Sequence, residues 1–163
     1  MKRVPDGPKI FFRIANREDA KDLRLWRNNA KARENSFNAK IISWQEHRKW
    51  FYSKIKDPDT KIYIAVLGKY KIGVIRFEIK NSFAKVSIAL NPRFFNKGLG
   101  SGIIKLGVNR FISETNIDKP VFAEIRKDNI ASQKAFSKAG FIFREEDKKK
   151  AIYIYRSNVQ AKG

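Results

Sequence analysis

The apolar residues of this chain recur with two spacings, the two-residue period of strands and the wider spacing of helices. The first spacing predicts strands over 9–15, 61–67, 71–79, 83–90, 120–126, 141–143 and 151–155. The second predicts helices from Asn16 to about Ala32, from Ser43 to the sequence Asp57-Pro58-Asp59, from the glycine-rich turn at 98–102 to about Ile112, and from Asn129 to Gly140. Because strands and helices are interspersed, this order indicates a mixed α/β fold.

Local signals support the helix bounds and give no sign of a second domain. Asn16 and Ser43 are suited to begin helices as N-caps, and Gly140 is suited to follow the end of one. The 163 residues contain no repeat and no linker-like segment. We therefore predict that 1–163 is a single domain with an ordered core over about 9–157.

Composition narrows the chemistry that the chain can perform. Hydrophobic residues make up 42% of the sequence, which is typical of a globular protein. The absence of cysteine excludes disulfides, thiol nucleophiles and cysteine-ligated zinc, and the single histidine, His47, excludes a histidine-rich metal site. No apolar stretch has the length of a membrane-spanning helix, and no apolar signal core follows the basic start. We therefore expect a cytoplasmic protein without a metal.

The charge is strongly positive, with 36 lysines and arginines against 16 acidic residues and a net charge of +20. Such a balance favours polyanionic partners, including nucleotides, phosphorylated cofactors and nucleic acid. The basic residues are scattered, however, and the dense run is short, at 148–150. A scattered excess is more typical of a solvated surface than of a nucleic-acid interface, so a non-catalytic nucleic-acid-binding module is the weaker interpretation.

The candidate ligand site is a glycine-rich turn between an apolar strand and a helix. Pro92 ends the strand over 83–90, and Gly98, Gly100 and Gly102 lead into the helical pattern. Glycine allows close approach of the main chain, and a helix N-terminus offers free N–H groups and partial positive charge. The turn therefore predicts a phosphate or pyrophosphate site. Its spacing matches neither the P-loop nor the dinucleotide fingerprint.

With these segments in place, the sequence resembles the GNAT superfamily of acyl-CoA-dependent N-acetyltransferases. The family's glycine motif falls on 95–100, and a second signature falls on Asn129, Ser132 and 138–141. The resemblance covers most of the chain. It implies a mixed sheet of about seven strands flanked by four helices, an enzyme, and acetyl-CoA as co-substrate.

The resemblance also implies which residues contact the cofactor. The pantetheine arm would lie along Ile88, Ala89 and Leu90, with the Leu90 N–H as oxyanion donor. The remaining implied cofactor contacts are Phe95, Asn96, Lys97, Gly98, Leu99, Gly100, Ser101, Asn129, Ser132 and Phe136. Two positions depart from the family pattern: Phe95 replaces the usual Arg or Gln of the glycine motif, and Phe136 replaces the tyrosine that many members use as general acid.

The acid and the base are left open by the sequence. Amine acetylation needs a group to accept a proton, and the candidates are Glu78, Glu124 and His47. The CoA thiolate could receive a proton from Tyr153 or Tyr155, or from solvent, because a thiol is a tolerable leaving group.

A narrower resemblance concerns the acceptor. The sequences at 25–28, 35–37 and 42–51 are similar to acetyltransferases that modify the 4-amino group of a UDP-linked sugar in pseudaminic acid and related bacterial pathways. It implies Arg27, Asn28, Trp44 and His47 as acceptor-binding residues. Acetyltransferases of ribosomal-protein N-termini share much of this helix pattern, so a protein N-terminus is the alternative acceptor. A homodimer is left open.

Overall fold

A computed structural model describes residues 9–157 of the chain. The ends of the predicted single domain, 1–8 and 158–163, lie outside the described residues. The strands are β1 (Ile10–Ile14), β2 (Thr60–Leu67), β3 (Tyr70–Ile79), β4 (Ala84–Leu90), β5 (Val121–Arg126), β6 (Ile142–Glu146) and β7 (Lys150–Tyr155). The helices are α1 (Ala20–Asn28), α2 (Ala30–Glu34), α3 (Trp44–Lys56), α4 (Gly100–Thr115) and α5 (Ile130–Lys138), with 3₁₀ turns at Arg17–Asp19 and Pro92–Phe94.

The strands form a seven-stranded sheet in the order β1-β2-β3-β4-β5-β7-β6. All neighbouring pairs are antiparallel except β4 and β5, which run parallel. That parallel pair extends only from Ala84 opposite Val121 to Val86 opposite Ala123. Beyond Val86 the two strands diverge, so the sheet opens in its middle.

Helices cover both faces of the sheet. On one face, α1 and α3 pack Leu23, Trp26 and Phe51 against apolar residues of β2 and β3. On the other, α4 and α5 bury a larger cluster that includes Phe111 and Phe136. Side chains alternate along each strand, so the even-numbered residues of β4 face α4 while its odd-numbered residues face α1 and α3. The opening between β4 and β5 is therefore reachable from both layers.

The predicted α/β architecture is confirmed, with one difference in the helices. We expected one helix to run to about Ala32, but it breaks after Asn28. Asn29 leaves the helical region with ψ of 136°, and its side-chain oxygen accepts hydrogen bonds from the N–H groups of Lys31 and Ala32. Asn29 is thus the N-cap of a second, short helix. Residues 9–157 contain five helices where four were expected.

Most predicted helix signals are found where the sequence placed them. Asn16 and Ser43 both cap by accepting a backbone N–H, and each belongs to a capping box. Gly140 follows α5 with φ of +100°, a conformation that favours glycine. Asn16 begins a 3₁₀ turn that leads into α1, and Asp19 completes its capping box.

Asp19 is a buried carboxylate that ties the start of α1 to the sheet. Its side chain is 1% exposed and accepts hydrogen bonds from Arg13 at 2.7 and 2.8 Å and from the Asn16 N–H at 2.9 Å, with Lys71 at 3.4 Å. Burial raises the pKa of Asp19, but the hydrogen bonds and charges of these partners outweigh it and hold the pKa below its usual range.

We expect Asp19→Asn to lower the free energy of unfolding at neutral pH by about 1–2 kcal/mol, since Arg13 and Lys71 are partly exposed and solvent screens the pair. Because the folded pKa is lowered, the stabilisation is present above the unfolded pKa of about 3.9 and is lost as pH falls through the folded value. Urea unfolding at several pH values should show a shallower acid slope for the variant. Identical slopes would show that Asp19 does not carry this pH dependence.

Candidate active site

A cleft of about 1330 Å³ occupies the opening between β4 and β5. On one side it is lined by the glycine-rich turn and the starts of α4 and α5. On the other it is lined by α1–α3 and by 35–38 in the connection that follows α2. The cleft therefore has two halves, one at helix N-termini and one beneath the N-terminal helices. Two substrates can meet between them.

The free edge of β4 supplies an unpaired backbone donor at the centre of the cleft. The Asn91 N–H donates to Ile72 of β3 at 2.9 Å, and the Ala84 N–H donates to Pro120 on the β5 side, also at 2.9 Å. Since successive N–H groups of a strand point to opposite edges, the Leu90 N–H points towards β5. There the parallel pairing has already ended. The arrangement suits the predicted role of Leu90 as an oxyanion donor, and Ile88 and Ala89 also line the cleft.

The glycine-rich turn presents backbone to the cleft over its whole length. Asn96 and Gly98 have φ of 60° and 71°, left-handed conformations that fold the turn tightly. α4 begins at Gly100, and no side chain caps it. Uncapped N–H groups at a helix start are the donors that bind anions. The turn's residues all line the cleft, namely Phe95, Asn96, Lys97, Gly98, Leu99, Gly100 and Ser101.

The start of α5 forms the opposite wall of this half. The Asn129 side-chain oxygen accepts the Ser132 N–H at 3.2 Å and so caps α5, and both residues line the cleft. Phe136 also lines it but is almost fully buried, with its ring edge-on to Phe141 at 5.0 Å. Three lysines surround this half of the cleft, namely Lys97, Lys134 and Lys138. The half therefore combines backbone donors with positive charge, which suits a phosphorylated cofactor.

The two candidate carboxylates are placed differently. Glu124 of β5 lines the cleft on the α3 side, with Lys85 at 3.4 Å and Lys150 at 3.6 Å. Glu78, which we predicted as a candidate base, does not line the cleft. It pairs instead with Arg76, Lys54 and Lys80 at 3.2–3.5 Å. Burial raises the pKa of Glu78, but these cations hold it below its usual range, so Glu78 is a weak base.

His47 borders the cleft but is buried within α3's packing. Its Nε2 lies 2.8 Å from the carbonyl oxygen of Ala20, and its ring stacks on Phe51. Burial lowers the pKa of His47, so the ring is neutral at physiological pH. The hydrogen bond fixes α3 against the start of α1, so His47 has a structural role in joining these two helices.

Neither candidate tyrosine lines the cleft. Tyr153 is buried and its hydroxyl donates to Gln133 Oε1 at 3.1 Å, and Tyr155 packs against Phe141. The prediction of Tyr153 as the acid therefore has no geometric support. The physical reason is that β7 lies beyond β5, and both tyrosines are on the β7 face that packs into the α5 core rather than at the opening.

Some of the predicted acceptor residues line the cleft and others do not. Arg27 lines the cleft, but Asn28 and Trp44 do not. The Asn28 amide donates to the carbonyl oxygen of Ile42 and accepts the Ile42 N–H, at 2.9 Å each. Trp44 packs against the cluster beneath α3. Asn28 thus has a structural contact in place of the expected one with substrate.

Many cleft residues were not among the predicted site residues, and they include Trp50, Arg76, Lys85 and Arg126. Arg76 is the most notable, since its Cζ lies 4.9 Å from the Trp50 ring centroid and its Nη2 lies 3.5 Å from Ser87 Oγ. Its Nε is 3.2 Å from Glu78, but the N–H is not directed at the carboxylate and has no hydrogen-bond partner. The sequence does contain one signal for Arg76, because it follows the buried residues of β3 and lies on the same face of that strand as Glu78.

Within residues 9–157, no cluster of histidine, aspartate and glutamate side chains is arranged to hold a metal ion. None of the helices described is both long and apolar enough to cross a membrane.

Sequence and structure comparisons agree with this geometry. The Acetyltransferase (GNAT) domain family matches residues 9–142. No curated protein sequence matches the chain. Among solved structures, the aminoglycoside acetyltransferase AAC(6')-Ib with paromomycin and acetyl-CoA superimposes with a TM-score of 0.81 at 15% identity, covering 94% of this chain and 96% of that one.

Two further structures show the same fold with other acceptors in their names. Spermidine N-acetyltransferase from Vibrio cholerae, with CoA and spermine, has a TM-score of 0.78 at 15% identity and covers 90% and 93% of the two chains. RimL, a ribosomal L7/L12 α-N-protein acetyltransferase with CoA, has a TM-score of 0.77 at 17% identity and covers 94% and 97%. The chain therefore belongs to the GNAT acetyltransferase family, and it is an N-acetyltransferase that takes acetyl-CoA as its acyl donor.

Proposed function

We propose that this enzyme acetylates the primary amine of a small anionic molecule, namely the 4-amino group of a UDP-linked amino sugar in bacterial surface glycan synthesis. The charge of the cleft carries the proposal. Its acidic lining residues are Glu46 and Glu124, whereas its basic ones are Arg27, Lys31, Arg76, Lys85, Lys97, Arg126, Lys134 and Lys138. Lys97, Lys134 and Lys138 lie in the cofactor half. The others lie in the acceptor half, where they favour an acceptor with phosphate groups.

Two arginines in the acceptor half carry N–H groups without partners. Arg27 Nη1 and Arg76 Nε are buried and make no hydrogen bond. Burial lowers the pKa of both guanidiniums, which nevertheless stay charged at neutral pH. Arg76 already forms an ion pair with Glu78, but a buried N–H without a hydrogen-bond partner is unfavourable, so an anionic acceptor that accepts from these two donors would be stabilised. Polyamines and aminoglycosides are polycations at neutral pH, so this lining disfavours them as acceptors. A basic protein N-terminus is disfavoured for the same reason.

In the proposed reaction, the neutral acceptor amine attacks the thioester carbonyl carbon, and the carbonyl oxygen takes negative charge while accepting the Leu90 N–H. The carbon–sulfur bond then breaks and CoA leaves as a thiolate. Glu124 is the predicted carboxylate that lines the cleft, so we assign it the proton from the amine, directly or through water. Since neither Tyr153 nor Tyr155 lines the cleft, the thiolate takes its proton from solvent.

We expect the nucleotide-linked amine to be acetylated much faster than the same amino sugar without its nucleotide. Mass spectrometry of products formed with acetyl-CoA would test this, with spermidine and a basic peptide N-terminus as cationic comparisons. All four acceptors offer a primary amine, so the difference reports on the rest of the molecule. Faster acetylation of spermidine or the peptide would contradict an anionic acceptor.

Arg76→Gln should raise KM for an anionic acceptor about tenfold, the loss expected for one charge-assisted hydrogen bond. KM for acetyl-CoA should stay unchanged, because Arg76 lies in the acceptor half. Arg48→Gln is the matched control, since Arg48 is an exposed arginine on α3 outside the cleft. Steady-state kinetics with each substrate varied in turn would measure both constants. Equal KM values for the two variants would remove Arg76 from acceptor binding.

A further inference from the structure

The connection between α2 and α3 is held in place by side chains from three other elements. We call residues 35–42 the strap. Its carbonyl oxygens accept hydrogen bonds from four arginines: Arg24 to Ile42 at 3.0 Å, Arg27 to Asn38, Arg33 to Ala39 at 3.2 Å and Arg126 to Ser36 at 3.1 Å. A loop whose carbonyls are used in this way has little freedom to rearrange.

The strap also joins the two sides of the opening. At its end near α3, the Asn28 amide binds both backbone groups of Ile42. At its other end, Arg126 reaches across from β5 while its remaining nitrogens bind Asp128 at 2.7 and 2.9 Å. The strap is therefore fixed to α1 on one side and to β5 on the other, and it closes the acceptor half of the cleft on one side.

One strap residue places an apolar ring at the cleft. Phe37 is 54% exposed and lines the cleft, whereas Ile41, 65% exposed on the same strap, does not. Among the other aromatics of the N-terminal helices, Trp26 is buried and Trp44 packs against the α3 side of the core. The Trp50 face is taken by Arg76. Phe37 is thus a ring at the acceptor half with an uncovered face on a fixed backbone.

We propose, resting on the proposed function, that Phe37 is the specificity-determining residue that selects an acceptor with a ring. The phenyl packs against the flat face of a sugar or a nucleobase, while the unused donors of Arg27 and Arg76 bind the attached phosphates. Aromatic side chains gain from such contacts because they bury a large rigid surface and lose little conformational entropy. The fixed strap means that Phe37 is ordered before the acceptor arrives, so binding carries little entropic penalty.

Calorimetric binding to the CoA-saturated enzyme tests this with three probes. UDP carries a base and phosphates, glucose 1-phosphate carries a pyranose and a phosphate, and pyrophosphate carries no ring. We expect Phe37→Ala to weaken UDP, glucose 1-phosphate or both by about tenfold, consistent with aromatic contact energies, and to leave pyrophosphate unchanged. The probe that weakens identifies the ring as base or sugar. Phe37→Trp should retain affinity, and Ile41→Ala is the control for an exposed apolar strap residue outside the cleft.

Equal weakening of all three probes, no effect of Phe37→Ala, or failure of both ringed probes to bind the wild type would overturn the inference. These outcomes differ from a failure of the proposed function. If no panel amine is acetylated but Phe37 still discriminates ringed from unringed probes, ring selection stands and the acceptor amine is wrong. If an anionic amine without a ring is acetylated best, the proposal of an anionic acceptor is kept and the proposed role of Phe37 is wrong.

The contribution of the strap is measurable separately through Asn28, which lies outside the cleft. We expect Asn28→Ala to weaken the ringed probe less than Phe37→Ala, because it loosens the strap without removing the ring. In the double variant with both Asn28→Ala and Phe37→Ala, the two losses of affinity should not add. Once the Phe37 ring is removed, a loosened strap has no ring to misplace. Additive effects would show that the strap does not position Phe37.

Discussion

Ser101→Glu should raise the dissociation constant of acetyl-CoA about 100-fold or more. Ser101 lies in the first turn of α4, whose N–H groups have no side-chain cap and line the cofactor half of the cleft. A glutamate there would place its carboxylate where we propose that the pyrophosphate binds, and it would repel that group while satisfying the same donors. Loss of two charge-assisted hydrogen bonds alone is worth about 3 kcal/mol, or more than 100-fold.

The variant is chosen so that reduced binding is not confused with reduced folding. An acidic side chain near a helix N-terminus stabilises the helix by about 0.3–1 kcal/mol, so Ser101→Glu should fold at least as well as the wild type. Ser113→Glu makes the same substitution in the last turn of α4, at an exposed position outside the cleft. It should lower stability slightly and leave affinity unchanged. Calorimetric titration with acetyl-CoA, paired with thermal melting, separates the two effects. Unchanged affinity in Ser101→Glu would place the cofactor elsewhere.

The order of the strands and helices could be predicted because each of them has a local sequence pattern. Strands that alternate, helices with capping residues, and Gly140 after α5 all report on residues close in sequence. The glycine-rich turn was predictable for the same reason, since backbone donors need no particular side-chain partner. Phe95 at the head of the motif illustrates this: it lines the cleft, and the turn that follows it still has the left-handed residues Asn96 and Gly98.

Strand order was the main limit on predicting side-chain chemistry. Glu78 and Glu124 look alike in sequence, since each lies in an apolar strand two residues from an arginine. Only Glu124 lies on a strand that borders the opening, because β5 is adjacent to β4 in the sheet. Tyr153 does not line the cleft for a related reason, because β7 lies one strand further from the opening than β5. Such relations come from pairings between distant segments, and no local pattern contains them.

The strap shows a second limit. Asn28 and Arg27 are neighbours on α1, yet Arg27 lines the cleft while the Asn28 amide is used by Ile42, fourteen residues away. The break at Asn29 sends the chain into α2, and the strap then returns beneath α1. A sequence pattern that predicts a single helix to Ala32 assigns both side chains to its surface. The division of roles depends on the return of the chain.

The core beneath α4 gives the largest expected effect on stability. Phe111 is fully buried, and its ring stacks on Phe77 of β3 with centroids 4.2 Å apart. Phe111→Ala should lower the free energy of unfolding by about 3–5 kcal/mol, through lost burial and the cavity left between helix and sheet. Urea denaturation followed by circular dichroism would measure it.

Two comparisons make the Phe111 prediction specific. Phe111→Leu keeps most of the volume but loses the ring stacking, so it should cost clearly less than the alanine variant. Leu106→Ala, at a 42% exposed position on the same helix, should change stability by less than about 1 kcal/mol. The cofactor turn is at the start of α4, whereas Phe111 is near its end. The Phe111→Ala protein that remains folded should therefore still bind acetyl-CoA, and the ligand should raise its melting temperature. A loss in Phe111→Ala no larger than that in Leu106→Ala would mean that this packing does not hold α4 on the sheet.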